Sequence, residues 1–89
     1  MEIIKRASAG TMESSDAYVE IEPAEEGILI QLESVVQAQF GDSIRAAVQD
    51  VLQSEGVQSA SLRIIDRGAL ECVIRARVEA AICRGKGDA

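Results

Sequence analysis

The chain has 89 residues, enough for one compact core and too few for two, so a two-domain enzyme is excluded. Hydrophobic residues make up 47% and charged residues 27%, the usage of an ordinary globular fold, and no apolar run approaches the roughly 20 residues that span a bilayer. The net charge of -6 is uneven: ten acids and one base, Arg45, fall between Glu13 and Glu55, a surface that repels nucleic-acid phosphates and anionic lipid heads and suits a basic protein partner.

The amino end, Met1 to Arg6, lacks the apolar stretch of a secretory signal, and the carboxyl end carries no lipidation box, so the expected location is the cytoplasm. Within residues 2–11, Ile3, Ile4, Ala7 and Ala9 suit a first strand leading into a turn at Glu13-Ser14-Ser15-Asp16. Residues 17–22 alternate, with Ala17, Val19 and Ile21 on one side and Tyr18, Glu20 and Glu22 on the other, which predicts a half-buried strand. Residues 28–33 repeat the pattern through Ile28, Ile30 and Leu32. Pro23 to Gly27 between the two runs predicts a hairpin whose outer face carries its glutamates into solvent.

Phe40, Ile44, Ala47, Val48, Val51 and Leu52 then fall on one helical face. Ser34 with Gln37 reads as a capping box and Gly56 as the residue past the end, giving a helix over about 36–54. Ser59 to Asp66 alternates again and reads as a strand. The last segment fits both periods, but its Ala, Glu and Arg content and the i,i+4 series Glu71, Arg75 and Glu79 favour a helix over 69–83. Cys72 and Cys83 would then stand about 16 Å apart along the helix axis, too far for a disulfide, and are expected to be reduced and buried. The sum is an α+β domain, β-β-β-α-β-α, an antiparallel sheet with two helices on one face, over residues 1–84, followed by a disordered tail at 85–89.

The chain contains no His, which removes the commonest general base and metal ligand and makes a Ser-His-Asp triad impossible. There is no Gly-rich phosphate loop, no Cys-x-x-Cys pair and no loop of alternating carboxylates suited to calcium. With one Phe, one Tyr and no Trp there is no base-stacking platform either. What remains is the polar turn Gly10-Thr11-Met12-Glu13-Ser14-Ser15-Asp16 between two strands, where Ser14 offers a primary hydroxyl at a protruding tip. The alternative is that this hydroxyl caps its own turn.

Three separated segments, Ala9 to Ala17, Gln39 to Arg45 and Asp66 to Glu79, in this order and spacing, resemble the acyl carrier protein (gamma subunit) family of citrate lyase over nearly the whole chain. The resemblance implies that Ser14, the serine of the Gly-Thr-x-Glu-Ser-x-Asp turn, bears 2'-(5''-phosphoribosyl)-3'-dephospho-coenzyme A through a phosphodiester. It implies a non-catalytic carrier of acetyl and citryl thioesters during cleavage of citrate to acetate and oxaloacetate. The partners implied are an acyl-transferase (alpha) subunit, a lyase (beta) subunit and the transferase that attaches the prosthetic group. The family commonly has Gly where this chain has Ser15, Lys where it has Arg67 and Asp where it has Glu71. Cys72 and Cys83 are expected to be bystanders, and Arg75 and Arg77 to pair with glutamates. The other readings are a malonate decarboxylase-type carrier subunit and a non-covalent interaction module.

Overall fold

A computed structural model describes residues 2–35 and 37–87 and, within the first helix, the side chains from Phe40 onward. Four strands and two helices follow in the expected order: β1 (Ala7–Gly10), β2 (Ala17–Glu22), β3 (Ile28–Ser34), α1 (Gln37–Ser54), β4 (Ala60–Asp66) and α2 (Glu71–Gly85). The α+β class therefore holds, with both helices packed together over one sheet face. No helix among the described residues is long and apolar enough to cross a membrane.

The hairpin expected between β2 and β3 does not form. The strand order is β1-β2-β4-β3: β4 pairs antiparallel with β2 and parallel with β3, so the sheet is mixed rather than wholly antiparallel. The cause lies in β4. Its Ala60, Leu62, Ile64 and Ile65 are all buried, and a strand so apolar belongs in the middle of a sheet. β3, with Ile28 and Leu29 exposed, takes the edge, and the helix between β3 and β4 makes the crossover that a parallel pair needs. Five residues, Pro23 to Gly27, readily span the roughly 10 Å between strands two positions apart.

The register stacks the inner face in rows. Ala9, Val19, Ile64 and Leu32 lie side by side across all four strands, and Ala7, Ile21, Leu62 and Ile30 form the next row. Against them α1 sets Ile44, Val48, Val51 and Leu52, and α2 sets Ile74, Val78, Ala81 and Ile82, all buried. Each large aliphatic buried there contributes about 1.5–3 kcal/mol. Phe40, placed on the same α1 stripe by its spacing, is instead 52% exposed, and Leu70, which precedes the first residue of α2, is 71% exposed.

The helix ends explain their own positions. Val57 N–H donates to Leu52 O at 2.9 Å and Gly56 N–H to Gln53 O at 3.0 Å, with Gly56 at φ 71, the motif that stops a helix on a left-handed glycine. Ser34 ends β3 and its hydroxyl donates to Asp66, while the expected capping box rests on the Gln37 side chain, which lies outside the described residues. Of the segment 85–89, Gly85 is the last residue of α2 and its carbonyl accepts the N–H groups of Ile4 and Lys5; residues 88–89 lie outside the described residues. The burial expected of Cys72 and Cys83 is not found, because α2 turns both toward solvent; neither is in a disulfide.

Candidate functional site

The loop joining β1 to β2 runs from Thr11 to Asp16, and its sequence is accounted for almost residue by residue. It leaves β1 through Gly10 at φ 92, where a Cβ would stand 1.9 Å from the Ala17 carbonyl oxygen, so any side chain collides with backbone. Thr11 Oγ1 accepts the Glu13 N–H at 3.2 Å and donates to Asp16 Oδ2 at 2.7 Å. Asp16 N–H donates to Glu13 O at 3.1 Å, closing a turn with Ser14 and Ser15 at its centre.

Asp16 is the clamp of this loop. Its carboxylate also accepts the Ala17 N–H at 2.7 Å and a two-point hydrogen bond from Arg77 of α2, Nε and Nη2 each at 3.0 Å. The Arg77 guanidinium above all, then the Thr11 hydroxyl and the Ala17 amide, hold the Asp16 carboxyl far below the usual carboxylate range. Arg77 thus pairs with an aspartate of the turn and not with a glutamate. Arg75 pairs with Glu71 at 3.1 Å as expected and with Asp50 at 2.6 Å besides.

The turn is also tied to the end of β4. Ser15 N–H donates to Arg67 O at 2.8 Å and Arg67 N–H to Asp16 O at 2.9 Å, extending the β2–β4 ladder into the loop. Below this, buried Asp66 accepts the N–H groups of Gly68 (3.1 Å) and Ala69 (2.8 Å) and the Ser34 hydroxyl (2.7 Å). Beside it, Phe40, Ile44, Ala69, Leu70 and Ile74 line an apolar groove of about 260 Å³ between the starts of α1 and α2.

Ser14 itself is exposed at the tip of the turn. Among the described residues its hydroxyl makes no hydrogen bond, since Thr11 and Asp16 do the capping that a serine at this position could have done. The sequence reading found the turn but not its clamp. Arg77 lies 61 residues from Asp16, and no periodicity links the two. Asp66, read as the end of a strand, proves to organise the whole adjoining loop.

Two measurable consequences follow from this geometry. Ser15 holds φ 66, which a non-glycine residue adopts at a cost of about 1–2 kcal/mol, whereas glycine enters it freely. Part of that gain is offset by the extra freedom of an unfolded glycine. Ser15→Gly is therefore expected to stabilise the chain by about 0.5–1 kcal/mol, roughly 3–6 °C in thermal midpoint by calorimetry. An unchanged or lowered midpoint would contradict strain at this position.

The second concerns acid. Asp16 is ordinarily at 3.8 and is lowered by folding, and Glu20, ordinarily at 4.5, is lowered mainly by its hydrogen bond from Arg6. A depressed carboxyl stabilises the fold in full above its unfolded value and loses that contribution as the pH falls toward its folded value. Thermal midpoints are expected to be flat above about pH 5 and to fall steeply below about pH 4, and Asp16→Asn to flatten that acid limb. An acid limb identical in the variant would show that Asp16 contributes nothing to it.

Residues 4–85 match the family model described as malonate decarboxylase delta subunit (MdcD). A curated relative from Escherichia fergusonii, named citrate lyase acyl carrier protein, is 54% identical over 85 residues, covering 94% of this chain and 88% of its own. Proteins of the same name from Clostridium perfringens (49% identical, covering 94% and 84%) and Streptococcus uberis (44%, covering 98% and 86%) are also similar. Among solved structures, a chain in the crystal structure of a Pseudomonas malonate decarboxylase hetero-tetramer in complex with malonate superimposes with a TM-score of 0.77 at 24% identity, over 94% of this chain and 87% of that one, a likeness of fold.

Proposed function

The chain belongs to the citrate lyase acyl carrier protein family, and we propose on that premise that it is the carrier subunit of a citrate lyase complex, with its prosthetic group on Ser14. The observation that supports this most directly is the exposed hydroxyl of Ser14, idle in the fold, at the tip of a turn that Thr11, Asp16 and Arg77 hold in one shape. An attachment site needs both features: an atom that a modifying enzyme can reach, and a base that does not move with the load.

The group we assign is 2'-(5''-phosphoribosyl)-3'-dephospho-coenzyme A, joined as a phosphodiester, and Ser14 fits it in offering a free primary hydroxyl on an exposed turn. When bound, the group supplies a thiol on an arm long enough to visit sites on neighbouring subunits. The chain itself does no chemistry on the acyl group. Its residues anchor the arm at a fixed point, keep the thiol at high effective concentration near the acyl-transferase and lyase subunits, and present an acidic flank to basic partner clefts. The reaction served is the cleavage of citrate to acetate and oxaloacetate, in the cytoplasm.

The family model's description keeps a second reading in play, a carrier subunit for malonate decarboxylation. The substrate that supports turnover of the assembled complex separates the two. The carrier role is tested by peptide mass spectrometry of the native protein: trypsin releases residues 7–45 as one peptide, and an added mass on Ser14 is expected. A bare peptide from protein taken out of an active complex would refute the assignment and favour a non-covalent interaction module.

A further inference from the structure

Of the seven arginines, six are engaged. Arg6 pairs with Glu20 and Glu22, Arg63 with Glu20, Arg75 with Asp50 and Glu71, and Arg77 with Asp16, while Arg45 and Arg84 donate to the carbonyls of Ile30 and Ser8 on the two edge strands. Among the described residues Arg67 is the arginine whose side chain makes no hydrogen bond or ion pair; Glu33 lines the same shallow hollow without bonding to it. Yet Arg67 is the residue whose backbone holds the turn, through Ser15 N–H on its carbonyl and its own N–H on Asp16.

That connection fixes a distance. A hydrogen bond of 2.8 Å from Ser15 N to Arg67 O keeps the Cα atoms of Ser14 and Arg67 within about 8 Å. An extended arginine side chain covers most of that gap, and a phosphate on Ser14 Oγ reaches outward to meet it. The surrounding chain from Glu13 to Glu55 carries ten acids against one base, a field that repels the phosphates of any arm mounted here. Arg67, an exposed arginine whose backbone is bonded to the turn, is the local exception within reach of the attachment point.

We propose that Arg67 is a positioning residue for the arm, pairing its guanidinium with the phosphodiester oxygens on Ser14 and thereby setting the direction in which the arm leaves the surface. This rests on the assignment of Ser14 above. The guanidinium fork matches two phosphate oxygens, and a lysine would supply the charge without the fork.

The test uses full-length protein produced with its loading enzymes: wild type, Arg67→Lys, Arg67→Ala and Arg67→Glu, each checked for its thermal midpoint and for added mass on Ser14. In the loaded proteins the 31P resonance of the phosphodiester is followed as salt is raised. The wild-type resonance is expected to move with salt, that of Arg67→Ala to stay fixed, and that of Arg67→Lys to move less. In loading assays the KM for the phosphorylated donor is expected to rise about 3–5-fold in Arg67→Ala and by more in Arg67→Glu, with kcat little changed and Arg67→Lys close to wild type, the scale of one exposed ion pair. If Ser14 is loaded but the resonance and KM of Arg67→Ala match wild type, the role given to Arg67 is overturned while the carrier assignment stands. If no protein, wild type included, carries the group on Ser14, both fall.

Discussion

Ser14→Ala is expected to leave the fold as stable as before and to abolish the carrier. The side chain is exposed and its hydroxyl bonds to nothing in the turn, so its removal should change stability by no more than about 0.5 kcal/mol. The mass added by the loading enzymes should disappear. Turnover of the reconstituted complex should fall by about 10³-fold or more, because the variant carries no thiol arm at all and so loses the acyl carrier that the arm keeps at an effective concentration on the order of mM beside the partner sites. Ser15→Ala serves as the control for attachment to the neighbouring hydroxyl and should load normally. Two measurements decide the matter together, a calorimetric midpoint and the rate of citrate cleavage. Full turnover by Ser14→Ala would remove the serine from the mechanism whatever the midpoint showed.

How far this could be read from the chain depended on the range of the interactions involved. The alternation in 17–22 and the helical stripe ending at Gly56 are local patterns, and both elements form where their periods place them. Strand order is not local. The run Pro23 to Gly27 has the composition of a hairpin turn, yet the apolar demand of β4 inserts that strand between β2 and β3 from some 30 residues downstream. The cysteines misled for a related reason: α2 satisfies both a strand period and a helix period, and only the packed helix shows that Ile74, Val78, Ala81 and Ile82 face the core while Cys72 and Cys83 do not. At the candidate site, the turn and Ser14 were legible because small polar residues between strands have few other uses. The clamp was not, since Asp16 and Arg77 meet only once α2 lies over β1 and β2.

The same long-range dependence makes Asp66 the position where a single truncation should cost most stability. Its carboxyl is 1% exposed and is the sole fully buried charged group among the described residues. It accepts the N–H groups of Gly68 and Ala69 and the Ser34 hydroxyl, so it joins the ends of β3 and β4 and shapes the loop that leads into α2. Asp66→Ala removes three hydrogen bonds at this part-buried junction, each worth about 0.5–1.5 kcal/mol and more where the acceptor is a carboxylate. A loss of about 3 kcal/mol or more is expected, on the order of 12–24 °C in midpoint for a domain of this size. Asp66→Asn keeps one carbonyl oxygen for the two amides and should lose about 1 kcal/mol. The effect should reach Ser14 without any contact between the two side chains, because Arg67, next in the chain, carries both backbone hydrogen bonds to the turn. Loading of Ser14, measured well below the lowered midpoint, should therefore slow in Asp66→Ala while Asp66→Asn loads nearly as the wild type does. A variant that is destabilised but loads at the full rate would show that the turn holds its shape through Asp16 and Arg77 alone.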